Sequence, residues 1–438
     1  MLEVLQSTFV SKLEHLVSFS RFFQMIIMFF LSLIQIIYTL FMLIIKKSVI
    51  LFPLFLTLLC LGCNSTDSID PSTGSKRGIE NSESNIDKDS DTKLSLIFVA
   101  GKDLKSRREK FGLLKLSNGT LIVATGHYES ANMLRGGEFS KTAEVFNPDL
   151  GEWTFTGELN DSRLSPAIFE LPDGKVILTG GFHRKNGPLN STEIWDPITG
   201  IWISGPEMIK ARHEMSYIKL NDGRFMVFGG GTYDVDGLVV SGSKETEIFD
   251  PEIGKWTAAA PMSEKRSNHV AIKLDDGKVF VIGGGKLDGP YSKSSEIYNP
   301  DTDSWTIAAP MIKGRVAHTA TLLSDGKVLV VGGRGKITKA EIYDPNSDTW
   351  SFAGETTKPR AGHVSVRLRN GLVLVTGGLG YLSEVEIYNP QDATWSVAGN
   401  LLTGRTNHQV AELPDGRILI IGGIGAEGML ASVEIYEP

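Results

Sequence analysis

Cysteine is almost missing from this sequence. Of 438 residues only Cys60 and Cys63 are cysteine, and both precede Asn64. The rest of the chain therefore has no disulfide, no thiol nucleophile and no cysteine metal ligand. A basic excess is missing too. The formal net charge is −7 and the pI is near 5.7, which argues against a nucleic-acid partner held by a cationic surface. Glycine, by contrast, is abundant at 47 residues, as suits a chain with many tight turns.

Charge is also absent from a 24-residue N-terminal stretch, residues 22–45, which is long enough to span a bilayer. After Lys46 and Lys47 comes a second apolar stretch, "SVILFPLFLTLLCLG", ending at Cys63. A basic start, an apolar core and a small residue at its end are the parts of a secretory signal. "LCLGC" resembles the lipobox of bacterial lipoproteins, which implies lipidation of Cys63 after cleavage behind Gly62. Two transmembrane helices are the alternative for residues 1–62. Met42 followed by "LIIKK" is a complete signal start, so translation from Met42 is a further expectation. Residues 63–93 read as a disordered tether: residues 64–93 hold ten Ser or Thr and too little apolar surface to fold. Thirty such residues span roughly 30 Å. These segments predict a lipid-anchored protein of the bacterial cell envelope, in the outer membrane or at the surface.

From residue 94 the sequence is periodic. A Gly-Gly pair recurs at 180–181, 229–230, 283–284, 332–333, 377–378 and 422–423, after a degenerate Thr125–Gly126. An "E-[IV]-aromatic-x-P" unit begins at Glu144, Glu193, Glu247, Glu296, Glu341, Glu386 and Glu434. Trp153, Trp202, Trp256, Trp305, Trp350 and Trp395 each follow the preceding proline by five residues. Arg163, Arg212, Arg266, Arg315, Arg360 and Arg405 follow those tryptophans by ten, and a turn glycine follows each arginine by eleven. Repeats of 45–55 residues with such internal order indicate a propeller or solenoid. Each unit reads as four strands: an alternating one, a continuous apolar run such as "VLVVGG", "AEIYDP" ended by proline, and a short one opened by Trp. Asp-Gly or Asn-Gly joins the first two as a hairpin.

Gly-Gly, "EIYDP", Trp and Arg at these spacings resemble the kelch motif over residues 94–438. The resemblance implies an all-β propeller with one four-stranded antiparallel sheet per repeat. The count is seven blades. The last repeat lacks its Trp strand, while Phe98 precedes Arg108 by ten residues, the spacing of every Trp to its Arg. Residues 94–101 are therefore expected to complete the C-terminal blade and close the ring.

Function is sought where the spacing varies. Only the segment from the second Gly of the pair to Glu changes length, running 18, 12, 17, 12, 8, 8 and 11 residues. Insertions collect on surface loops because the core does not admit them. The face carrying these loops and the arginine-bearing connections is the expected working face, dominated by residues 127–142 and 231–244. Candidate binding residues there are His127, Tyr128, Arg135, His183, Arg184, Tyr233, Asp234, Asp236, Lys286, Tyr291, Arg334 and Tyr381. No catalytic residue, metal or cofactor is assigned. Kelch enzymes similar to galactose oxidase need copper and a Cys–Tyr crosslink, and the mature domain has no cysteine. His269, His318, His363 and His408 each follow an arginine by three residues, so they read as packing positions on successive blades. The arginines and glutamates read as scaffold pairs, with a channel-lining sugar site as the alternative. The expected function is a monomeric, non-enzymatic module capturing a protein or glycan. Two other readings stay open: an enzyme resembling periplasmic kelch sugar mutarotases or epimerases, and an envelope assembly scaffold.

Overall fold

A computed structural model describes residues 96–127, 139–233, 239–240, 242–285 and 290–438. The signal, lipidation and tether expectations, Cys63 included, lie outside them. Among the described residues there are strands and turns but no helix, and seven four-stranded antiparallel sheets dominate. This is the seven-bladed kelch propeller.

Blade 5 shows why these residues form a blade. Its second strand, Val328–Val331, is covered on both faces and has no exposed surface, so a continuous apolar run is what the site accepts. Its neighbours are Thr319–Leu322 on the channel side and Lys339–Asp344 on the outer side, with Thr349–Glu355 as the rim strand. The same wholly buried second strand recurs in all seven blades. Ser324-Asp325-Gly326 turns the first hairpin: Gly326 N–H donates to the Leu323 carbonyl, and Leu323 N–H to that of Lys327. Only the glycine has positive φ, +80°, so this is a three-residue loop ending in a bulge glycine.

The core is distributed rather than central. Seven buried apolar clusters each fill the space between two neighbouring blades. Each rim tryptophan packs on the aromatic of its own third strand: Phe146–Trp153, Trp195–Trp202, Phe249–Trp256, Tyr298–Trp305, Tyr343–Trp350 and Tyr388–Trp395, at 5.0–6.4 Å between centroids.

Ring closure follows the expected route. Phe98–Ala100 pairs antiparallel with Val433–Tyr436, and the Phe98 ring lies 5.8 Å from Tyr436, in the tryptophan's place. The strand itself is shorter than residues 94–101. Leu96 N–H instead donates to Ala398 of blade 6, so this segment ties two blades together.

Candidate functional site

Each repeat arginine enters a buried socket in its own blade. Arg108, Arg163, Arg212, Arg266, Arg315, Arg360 and Arg405 are fully buried and meet Glu144, Glu193, Glu247, Glu296, Glu341, Glu386 and Glu434 at 2.5–2.9 Å. Arg315 also donates to the Gly332 carbonyl at 2.6 Å, while Glu341 accepts the Ile312 and Lys313 backbone N–H groups. The pair thus joins the end of the second strand, the third strand and the inter-blade connection. Apart from the Nε of Arg108, Arg163 and Arg212, the donors and acceptors of these pairs are taken up by scaffold, which leaves little with which to hold a sugar.

The four histidines are buried wedges between blades. In the Gly283–Gly284 pair, Gly283 has φ +60°, and a Cβ there would lie 2.7 Å from the Arg315 carbonyl oxygen and 3.1 Å from the His318 ring. His269, His363 and His408 stand over Gly229, Gly332 and Gly377 in the same manner, and Met215 and Phe111 fill the place over Gly180 and Gly422. Burial, then the nearby arginine, pushes His269, His363 and His408 down to about 3 and His318 far below its ordinary value. Among the described residues no three His, Cys, Asp or Glu side chains could together hold a metal.

The channel mouth on the loop face is filled by its own residues. The residue two after each arginine is left-handed, with φ of 49–63° at Lys110, Ser165, Glu214, Asn268, Ala317, Gly362 and Asn407. Backbone bonds link successive members, Ser165 N–H to Lys110 and Asn407 N–H to Gly362, both at 2.8 Å. Lys110 of blade 1 pairs with Glu214 of blade 3 at 3.3 Å, and Asn268 of blade 4 donates to the same carboxylate at 2.7 Å. Burial works to raise the Glu214 pKa, but Lys110, Asn268 and His213 outweigh it and hold the carboxylate below its ordinary value. On the other side Glu109 accepts from Asn407 at 2.9 Å and lies 3.4 Å from His127.

Beside this collar, between blades 1 and 2, opens a groove of about 730 Å³. Phe139, Lys141, His183, Arg184 and Lys185 come to it from the two inserted loops, and Ser106, Glu158 and Ser162 from the connections. Lys141 donates to the Asn160 carbonyl at 2.5 Å, and neither it nor Lys185 has a carboxylate partner among the described residues. His183 Nδ1 accepts the Lys185 and Asn186 backbone N–H groups at 3.3 and 3.1 Å, which leaves Nε2 as the N–H of the neutral ring.

Of the candidates named from sequence, His183 and Arg184 reach this groove, and His127 belongs to the collar. Tyr291, Arg334 and Tyr381 sit on the loops of blades 4, 5 and 6, away from it. Tyr233 lies in a two-residue strand, Thr232–Tyr233, of the blade 3 loop. Tyr128, Arg135, Asp234, Asp236 and Lys286 lie outside the described residues. Sequence reasoning missed Lys141, Lys185, Phe139, Ser106 and Ser162. Loop length flagged the segment of Lys141 and Phe139, Lys185 stands beside the named candidates His183 and Arg184, and nothing flagged the two serines.

Comparison with known proteins agrees with this architecture. Residues 213–423 match the model of the KLHDC2/KLHL20/DRC7 Kelch-repeats domain, and residues 171–209 match that of the Kelch motif. Kelch-like protein 23 of Homo sapiens is 31% identical over 230 residues, covering 44% of this chain and 40% of that protein. Galactose oxidase of Gibberella zeae is 27% identical over 145 residues, covering 31% of this chain and 20% of that enzyme. A fungal alcohol oxidase solved in complex with copper superposes with TM-score 0.60 at 16% identity, covering 78% of this chain and 76% of that one, a likeness of fold. The chain thus spans less than half the length of these curated relatives.

Proposed function

We propose that this chain is a protein-binding kelch propeller that takes its partner on the loop face. The carrying observation is a contrast on that face. The channel mouth is satisfied internally by Lys110, Glu214, Asn268, Glu109 and Asn407, whereas the groove beside it brings Lys141 and Lys185, which have no carboxylate partner among the described residues, from two inserted loops. Kelch propellers typically serve as protein-binding modules, and the similarity to Kelch-like protein 23 supports this reading. Cross-linking pull-downs with the full chain, comparing wild type with Lys141→Glu/Lys185→Glu, test it. A protein recovered by wild type and lost by the variant is expected; recovery of no protein ends the reading.

The contact between Glu109 and His127 favours a second reading, proton transfer on a sugar at the channel mouth as in a mutarotase. Galactose or sialic acid anomerising faster than in buffer, followed by NMR, would favour it. Anchorage through Cys63 in a bacterial envelope is proposed alongside, from the basic start, apolar core and "LGC" of the sequence. Mass spectrometry should find a lipid-modified N-terminus at Cys63, and an intact N-terminus upstream of Lys46 would end that proposal.

A further inference from the structure

We infer that the groove between blades 1 and 2 selects an acidic peptide segment, so that carboxylate side chains are what the propeller recognises in its partner. This deepens the protein-binding reading and rests on it. The molecule as a whole carries a net charge of −7, so a groove of opposite character is a local departure from its surface. The groove is rich in donors and poor in acceptors. Lys141 and Lys185 bring ammonium groups that have no carboxylate partner among the described residues, and Glu158 is the one acid among the described lining residues.

The donors are placed rather than loose. The bond from Lys141 to the Asn160 carbonyl spends one N–H and leaves two on an ammonium held across the seam between the blades. His183 is oriented by the two backbone N–H groups on Nδ1, so its Nε2–H is the donor it offers. The nearby hydroxyls of Ser140 and Thr142 share a 2.8 Å bond, and Thr142 Oγ1 accepts from buried Arg108 at 3.0 Å, which fixes that wall. A ligand filling such a site must supply acceptors. Carboxylates do so with charge-assisted bonds, roughly twice as strong as neutral ones. Basic or purely apolar segments would leave the ammonium groups desolvated and unpaired, so the same geometry rejects them. Phe139 offers one apolar contact at the edge, its ring 5.7 Å from that of His127.

The test uses the full chain and fluorescein-labelled hexaglutamate, with hexalysine as the control, read by fluorescence anisotropy at low salt. Hexaglutamate should bind and hexalysine should not. Lys141→Glu/Lys185→Glu should weaken hexaglutamate at least tenfold, while Lys278→Glu/Lys327→Glu on the hairpin face leaves it unchanged and melting temperatures stay alike. Affinity unmoved by the groove variant, or equal binding of hexalysine, overturns the inference. Panning a random peptide library on the chain separates the two levels. Enriched sequences with excess Asp and Glu support the inference. Enrichment without that excess overturns it but leaves protein binding standing, and no enrichment at all counts against both.

Discussion

A histidine wedged between two blades is a small hydrophobe with a latent charge. His269 has no hydrogen-bond partner on either ring nitrogen among the described residues, and for His318 burial and the neighbouring Arg315 outweigh the Ile282 backbone, so a proton on either ring is poorly compensated. His363 and His408 each have a hydrogen bond, from Nε2 to Thr319 and Thr376 at 2.9 Å, and are driven down by burial all the same. An unfolded histidine binds its proton near pH 6.5. Between that value and about 3 the unfolded chain therefore holds protons that the folded chain does not, and stability falls as pH drops through this window. Above about pH 6.5 these histidines contribute no pH dependence. Each costs on the order of 1 kcal/mol per pH unit while it titrates, and four act together. The melting temperature should fall steeply from pH 7 to pH 5. His318→Met, which copies the natural occupant at Met215, should flatten that slope while keeping the fold. An unchanged slope in the variant would show that the histidines do not carry it.

At the scale of strands and loops, legibility divides cleanly. The second strands were readable because burial on both faces imposes a continuous apolar run, and "VLVV" or "ILII" admits no other placement in a sheet. The shared ring closure was readable because Phe98 keeps the spacing to Arg108 that each tryptophan keeps to its arginine, and spacing is what a rigid blade preserves. The groove was not readable in the same way. Lys141 and Lys185 look like any exposed lysine in sequence, and only the seam between two blades brings them to one site. Emphasis on the longest loops pointed to blades 1 and 3, whereas the groove lies between blades 1 and 2. The channel collar was also hidden, since Lys110 and Glu214 are 104 residues apart and belong to blades that are not neighbours. Periodicity reports what recurs, and a binding site is made of what does not.

The propeller is a ring of shared interfaces, and this governs how it should unfold. No blade owns a core: Val328 and Val330 pack with Phe280 and Ile282 of the preceding blade, while Leu329 and Val331 pack with Val373 and Val375 of the next. Unfolding one blade strips two clusters, so its neighbours lose a face each and the loss propagates round the ring. The seam where the ends meet is held by Leu96 and Phe98, which are buried among Leu374, Ile387, Ile418 and Tyr436. Deleting residues 94–101 removes both side chains and three register pairs, leaving Val433–Tyr436 as an open edge. Two large buried side chains at about 2–5 kcal/mol each are comparable with the whole stability of an ordinary domain. Heating the full chain should therefore give one transition, with tryptophan fluorescence and far-UV circular dichroism coinciding, because the tryptophans are spread round the ring. In the deletion variant the transition should broaden and fall, and the exposed edge should promote self-association. A variant that melts as one sharp step at the original temperature would mean that the ring is closed by contacts other than this strand.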